Sequence, residues 1–204
     1  MTYPASTPNT DSTSATTEIP VATHSVLADG ERSPAVFLLP AVGGCGVSTL
    51  ARSIAPFAET DMFPAADDPN MVVVVTTATY TGVQAAHRIV QQSNDGRAGG
   101  CQLLGLVVVN TAGGKIPKPV TQRLASVESR IRHIWHVDYV DAWRCLPAEQ
   151  LPVWDPTVTS NTDDARGSRR RKKKTTAATD VPEAVIAVAT EICREAVGLY
   201  QAGH

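Results

Sequence analysis

The most specific chemical pattern in the chain is Gly43-Gly44-Cys45-Gly46-Val47-Ser48-Thr49, which follows the apolar run Val36 to Leu39 and opens an amphipathic segment. A glycine-rich turn at such a junction lets successive backbone N–H groups point at one anion, and the helix start adds partial positive charge. The chemistry on offer is phosphate binding. Position 47, where a lysine would neutralise bound phosphates, is valine. Ser48 could still ligate Mg2+ if a nucleotide binds, and Thr49 could touch an α-phosphate. Loss of a partly desolvated ammonium removes more than one charge-assisted hydrogen bond. Phosphoryl transfer, which depends on electrostatic stabilisation and metal positioning, suffers further. The expectation is a loop with the shape of a phosphate cradle and no significant ATPase activity.

Other reactive groups gather farther along. Asn110 ends the apolar run Leu103 to Val109, and Asp138, Asp141, Trp143 and Arg144 follow His133 to Val137. Ligands of open parallel sheets bind beyond the carboxyl ends of the strands. Asp138, Trp143 and Arg144 are therefore candidates for the rim of a site or a partner surface. Cys45 lies where a thiol can become reactive, but a small residue chosen for packing is the stronger reading. His133 and His136 point to opposite sides of a strand and cannot share a metal.

The elements that must hold these residues are legible from periodicity. Val36 to Leu39, Met71 to Val75, Leu103 to Val109 and about His133 to Val137 are nearly continuous apolar runs, as buried parallel strands are. Helical patterns intervene. Val47, Leu50, Ala51, Ile54 and Ala55 share one face before Pro56. Val83, Ala86, His87 and Val90 do the same after a cap at Thr81. Pro119 opens a helix that turns Val120, Leu124, Val127 and Ile131 inward. This alternation predicts an α/β fold: a small doubly wound parallel sheet of four or five strands, with helices on both faces.

Residues 1–34 are rich in Ser, Thr, Pro and Ala, with no Lys or Arg before Arg32, and read as a disordered tail. The domain is expected over residues 35–146. Residues 147–180 read mostly as linker, with Pro147, Pro152 and Pro156 and a basic run. A helix over 181–202 then starts at Asp180-Val181-Pro182-Glu183, a capping-box spacing. Its Val185, Val188, Ile192, Ala196 and Leu199 are expected to dock on the sheet.

The 204 residues carry a net charge of -2, which conceals an asymmetry. Arg166, Arg169, Arg170, Arg171, Lys172, Lys173 and Lys174 are seven of the 18 basic residues, so the rest holds 11 bases against 20 acids. That run fits a tether to nucleic acid, a patch for anionic lipid or a solvated charge run without a partner. It has no interleaved aromatics for base stacking. No apolar run reaches membrane-span length, no secretory leader is apparent, and four scattered cysteines form no Cys-x-x-Cys pair. A reducing, cytoplasmic setting is expected.

Taken together, Gly43 to Thr49 resemble the deviant Walker A loop of MinD/ParA-type ATPases, whose pattern is Lys-Gly-Gly-x-Gly-Lys-Ser-Thr. Val72 to Thr77 resemble the strand of that family ending in Thr-Thr, and Gly105 to Asn110 its later strand with a base-reading Asn. The likeness covers roughly residues 35–145. The sequences Gly-Gly-x-Gly-Val-Ser-Thr-Leu-Ala, Leu-Leu-Gly-Leu-Val and Asp-Ala-Trp-Arg are also similar to an actinobacterial family of P-loop-like proteins, a likeness that adds nothing about role.

Three departures matter. Val47 and Val42 replace both lysines of the pattern, and Asp61, Asp67 and Asp68 end no apolar run as a Walker B aspartate does. The resemblance then implies a truncated, non-catalytic relative of partition ATPases. Such a protein would be an adaptor or regulator binding a partner ATPase, a partition or secretion component or a mobile-element system, and possibly DNA. No resident cofactor is expected, with weak ATP or ADP plus Mg2+ as the alternative. The competing classes are a weak NTPase or transferase and a nucleic-acid tether. The sequence leaves the oligomeric state open.

Overall fold

The computed structural model describes residues 18–28, 30–157 and 180–202. Its centre is a five-stranded sheet with every pairing parallel. The chain runs β1 (Val36–Pro40), α1 (Val47–Ser53), β2 (Phe57–Glu59), β3 (Met71–Thr77), α2 (Tyr80–Asn94), β4 (Gln102–Val109), α3 (Lys118–Glu128), β5 (Ile134–Val137) and α4 (Glu183–Ala202), with short 3-10 turns at Asp141–Cys145 and Ala148–Gln150 between β5 and α4. The spatial order is β2-β1-β3-β4-β5. The winding reverses between β1 and β3, so the expected doubly wound α/β sheet is what forms.

The apolar runs become central strands because both of their faces are buried. Val36, Leu38, Val73 and Val75 enter one core, while Phe37, Leu39, Val72 and Val74 enter the other. Successive strand residues point to opposite sides, so these are the two sides of the sheet. Val47, Leu50 and Ile54 of the α1 segment, with Val185, Ala189, Ile192 and Ala196 of α4, fill the first core. Val83, Ala86 and Val90 of α2, with Val120, Leu124 and Val127 of α3, fill the second.

Gly105 shows how closely the layers fit. A β-carbon there would run into the ring of Trp135 and lie 2.7 Å from the His133 carbonyl. The indole N–H of Trp135 donates to Glu191 of α4 at 3.0 Å, and His133 Nε2 lies 3.1 Å from a Glu195 carboxylate oxygen. One helical turn separates these glutamates, so α4 meets β5 through the Trp135–Glu191 hydrogen bond and the residue before the strand through the His133–Glu195 approach. The His133 ring stacks on Trp135 with centroids 5.3 Å apart, a structural role.

Several boundaries differ from expectation. The edge strand β2 was not foreseen. The cap of α2 is Thr79, whose hydroxyl accepts the Gly82 N–H at 3.1 Å, rather than Thr81. Pro119 occupies the second position of α3, which begins at Lys118.

The disordered tail expected to residue 34 is corrected from residue 18 onward. Val21 forms a parallel bridge to Phe63, and Gln92 binds the backbone of Ile19. The expected linker is corrected at its start, because Trp154 bridges Ile54 through Trp154 N–H to Ser53 C=O at 2.9 Å and Ala55 N–H to Trp154 C=O at 3.0 Å. Residues 1–17 and the whole basic run 166–174 lie outside the described residues.

Candidate functional site

The carboxyl ends of β1, β4 and β5 open on one cleft of about 340 Å³. Its first wall is the glycine turn. Gly44 and Gly46 have φ of 72° and 85°, a left-handed backbone that a side chain disfavours. Gly46 starts α1 and accepts the Leu50 N–H at 3.0 Å. Gly44, Cys45, Gly46 and Thr49 line the cleft, whereas Gly43, Val47 and Ser48 do not.

Position 47 has a physical explanation beyond a missing charge. The Val47 side chain is 7 % exposed and belongs to the core beneath the sheet, with Leu50 and Ile54. Val42 is partly buried against the same core. Neither side chain is available to an anion. Cys45 is buried as well. Burial raises its thiol pKa, while the backbone N–H groups of Val47, Val42 and Cys45 itself act in the opposite direction. Cys45 is thus a packing residue with its thiol held neutral, the opposite of an activated nucleophile.

The facing wall comes from β4, β5 and the turn after β5. The rung that ends the sheet is continuous here: the Asn110 N–H donates to Val137 C=O at 2.9 Å. This sets Asn110 beside Asp138, and the Asn110 amide donates to the Asp138 carboxylate at 3.1 Å. The 3-10 turn at Asp141–Cys145 brings Trp143 and Arg144 to the same cleft. Arg144 donates to the Tyr139 hydroxyl at 2.6 Å, and its guanidinium lies 5.8 Å from that ring. The hydrogen bond to Tyr139 favours the charged form of Arg144, and its pKa is raised. Tyr139 in turn donates to Asp141 at 3.3 Å.

The cleft therefore gathers the glycine turn, Asn110, Asp138, Trp143 and Arg144, which are separated by up to a hundred residues in sequence. Sequence reasoning missed Tyr139 and Thr111, which also line it. The two-residue spacing of Tyr139 from Asp141 offered only a weak signal. Asp61, Asp67 and Asp68 do not line the cleft. Asp68 neighbours Asn70 and Met71 at the amino ends of the strands, across the sheet from the glycine turn. β3, the neighbour of β1, ends in Thr76-Thr77 rather than a carboxylate.

Chemically, the cleft offers backbone donors on one wall, an amide–carboxylate pair and an indole on the other, and one guanidinium. The chain matches no protein-family model, no curated protein and no solved structure.

Proposed function

We propose that this is a non-catalytic, ligand-holding relative of P-loop folds, binding a nucleotide-sized phosphate compound without turnover. Its bound state would be read by a partner protein such as an ATPase. The observation that carries this reading is the convergence of Gly44–Gly46 with Asn110, Asp138, Trp143 and Arg144 on one cleft. Gly44–Gly46 would supply N–H donors to phosphate, Trp143 a stacking face, and Asn110 with Asp138 the edge contacts to a base. Turnover is disfavoured because the side chains at positions 42 and 47 belong to the core, leaving the glycine wall without an ammonium. Phosphoryl transfer needs that charge compensation at the transferred group.

The test is titration with ATP–Mg2+, ADP and inorganic phosphate, followed by tryptophan emission and phosphate release. Saturable quenching lost in Trp143→Phe, with no phosphate released above buffer, supports the reading. Turnover by the unaltered protein overturns it.

A second reading, nucleic-acid binding, is favoured by a separate observation. Residues 80–133 hold seven basic and two acidic residues. Arg88, Lys115, Lys118, Arg123, Arg130 and Arg132 have no carboxylate within ion-pair distance among the described residues. They lie on and beside α2 and α3, which pack together. Arg123 lies 5.7 Å from the centroid of the Tyr80 ring, which stays about half exposed. The partner would be a phosphate backbone, with the basic run 166–174 as a second contact. Anisotropy with a DNA duplex at two salt concentrations tests this, comparing the Arg88→Glu/Lys118→Glu/Arg130→Glu variant with deletion of residues 166–174. Binding unchanged in both removes the reading.

A further inference from the structure

Residues 18–28 lie across the protein as a strap, mostly exposed, held by backbone hydrogen bonds, by Ile19, Val26 and Leu27 against the second core and by a Glu18–Arg97 ion pair. The surface beneath them is the more elaborately built partner. Gln92, 5 % exposed on α2, accepts the Ile19 N–H at 2.9 Å and donates to the Ile19 C=O at 2.7 Å. Its amide also donates to the Arg97 carbonyl at 3.0 Å, which fixes its orientation. Phe63 offers both backbone groups: Ala22 N–H donates to Phe63 C=O at 2.9 Å, and Phe63 N–H to Pro20 C=O at 2.9 Å. Asp68, 8 % exposed, accepts the Ser25 hydroxyl and the Val26 N–H, the latter at 2.9 Å. Val21 rests against Gly99, where a β-carbon would collide with it.

This division of labour is that of a peptide groove. Recognition by strand addition uses main-chain hydrogen bonds for attachment and side-chain contacts for selection. Gln92, Phe63 and Asp68 supply the first, and the close approach at Gly99 with the Asp68–Ser25 contact supplies the second. Removing the strap would hand the Gln92 amide and the Asp68 carboxylate, which keeps only the Ala65 N–H, over to water. Another extended segment of the same pattern would restore those hydrogen bonds and cover the groove again.

We propose that the groove formed by Phe63, Asp68, Gln92 and Gly99 is a binding site for extended peptide. Residues 18–28 occupy it in cis, and it exchanges them for the same segment of a second copy. A hydroxyl residue belongs opposite Asp68, and a second carboxylate there is excluded by like-charge repulsion. The inference is independent of the cleft and of any nucleotide.

The test uses the full chain and a fluorescent synthetic peptide of residues 18–28, standing in for the segment of a second copy. Ser25→Asp sets a carboxylate against Asp68 and releases the tethered strap. That variant should bind the peptide saturably and at least about tenfold more tightly than the unaltered chain, where the tethered copy competes at high effective concentration. A scrambled peptide should not bind, and adding Gln92→Ala should abolish binding. No binding by Ser25→Asp, equal binding of the scrambled peptide, or binding indifferent to Gln92→Ala overturns the proposal. Should the double variant fail to fold, hydrogen exchange on the unaltered chain decides. Excess peptide should speed exchange at the Ile19, Ala22 and Val26 amides while the strands stay protected, and no change there refutes the groove.

Discussion

Asn110 and Asp138, the first residues beyond β4 and β5, are joined by a side-chain hydrogen bond of 3.1 Å at the floor of the cleft. The pair is set by the sheet itself, since the Asn110 backbone N–H closes the last rung onto Val137. An amide donating to a carboxylate still leaves acceptor capacity on Asp138 and on the Asn110 carbonyl. On the proposed reading both would meet the edge of a ligand while fixing each other.

Because the pair acts as a unit, removing either member should have similar effects. Asn110→Ala and Asp138→Ala should each weaken ligand binding by about tenfold, roughly 1.4 kcal/mol. The double variant should lose less than the sum. Titration of the three variants measures this. Full additivity would show that the two residues do not share a ligand.

Gly105 predicts a stability effect. An alanine there needs space taken by the Trp135 ring and the His133 carbonyl. Gly105→Ala should cost about 1–3 kcal/mol, as overpacking does, and loosen α4 through the Trp135–Glu191 contact. Urea unfolding with tryptophan emission reads both.

The strands were legible in the sequence because Val36–Leu39 and Met71–Val75 are buried on both sides and need no alternation. β2 was not, since the three residues Phe57–Glu59 after Pro56 are too few to show a period. The strap was hidden for another reason: its attachment lies in Phe63, Asp68 and Gln92, far away in sequence, while its own composition looks like an unstructured tail. The strand-end rule for parallel sheets pointed to Asp138, Trp143 and Arg144 and the family resemblance to Asn110, and all four line the cleft. The glycine turn announced itself by composition. Position 47 was legible both as the place of the pattern's lysine and as part of the inward face of α1, and its burial shows the second.

Asp68 gives the pH dependence. Burial alone would raise its pKa, but hydrogen bonds from Ser25, the Val26 N–H and the Ala65 N–H outweigh it and hold the carboxyl below its ordinary value. A carboxyl depressed on folding stabilises above its unfolded pKa of about 4 and loses that contribution as pH falls through the folded value. Stability should therefore decline below about pH 4, and Asp68→Asn should flatten that part of the profile. Unfolding midpoints between pH 2.5 and 6 measure it. An Asp68→Asn profile parallel to the unaltered one would contradict the assignment.

The central claim is that position 47 belongs to the core and not to an anion site. Val47→Lys tests it most directly, with denaturant unfolding and ATP–Mg2+ turnover measured on one preparation. Forcing an ammonium into that core should lower stability by about 2–4 kcal/mol and produce no phosphate release. A variant of undiminished stability that binds ATP more tightly and hydrolyses it would contradict the account.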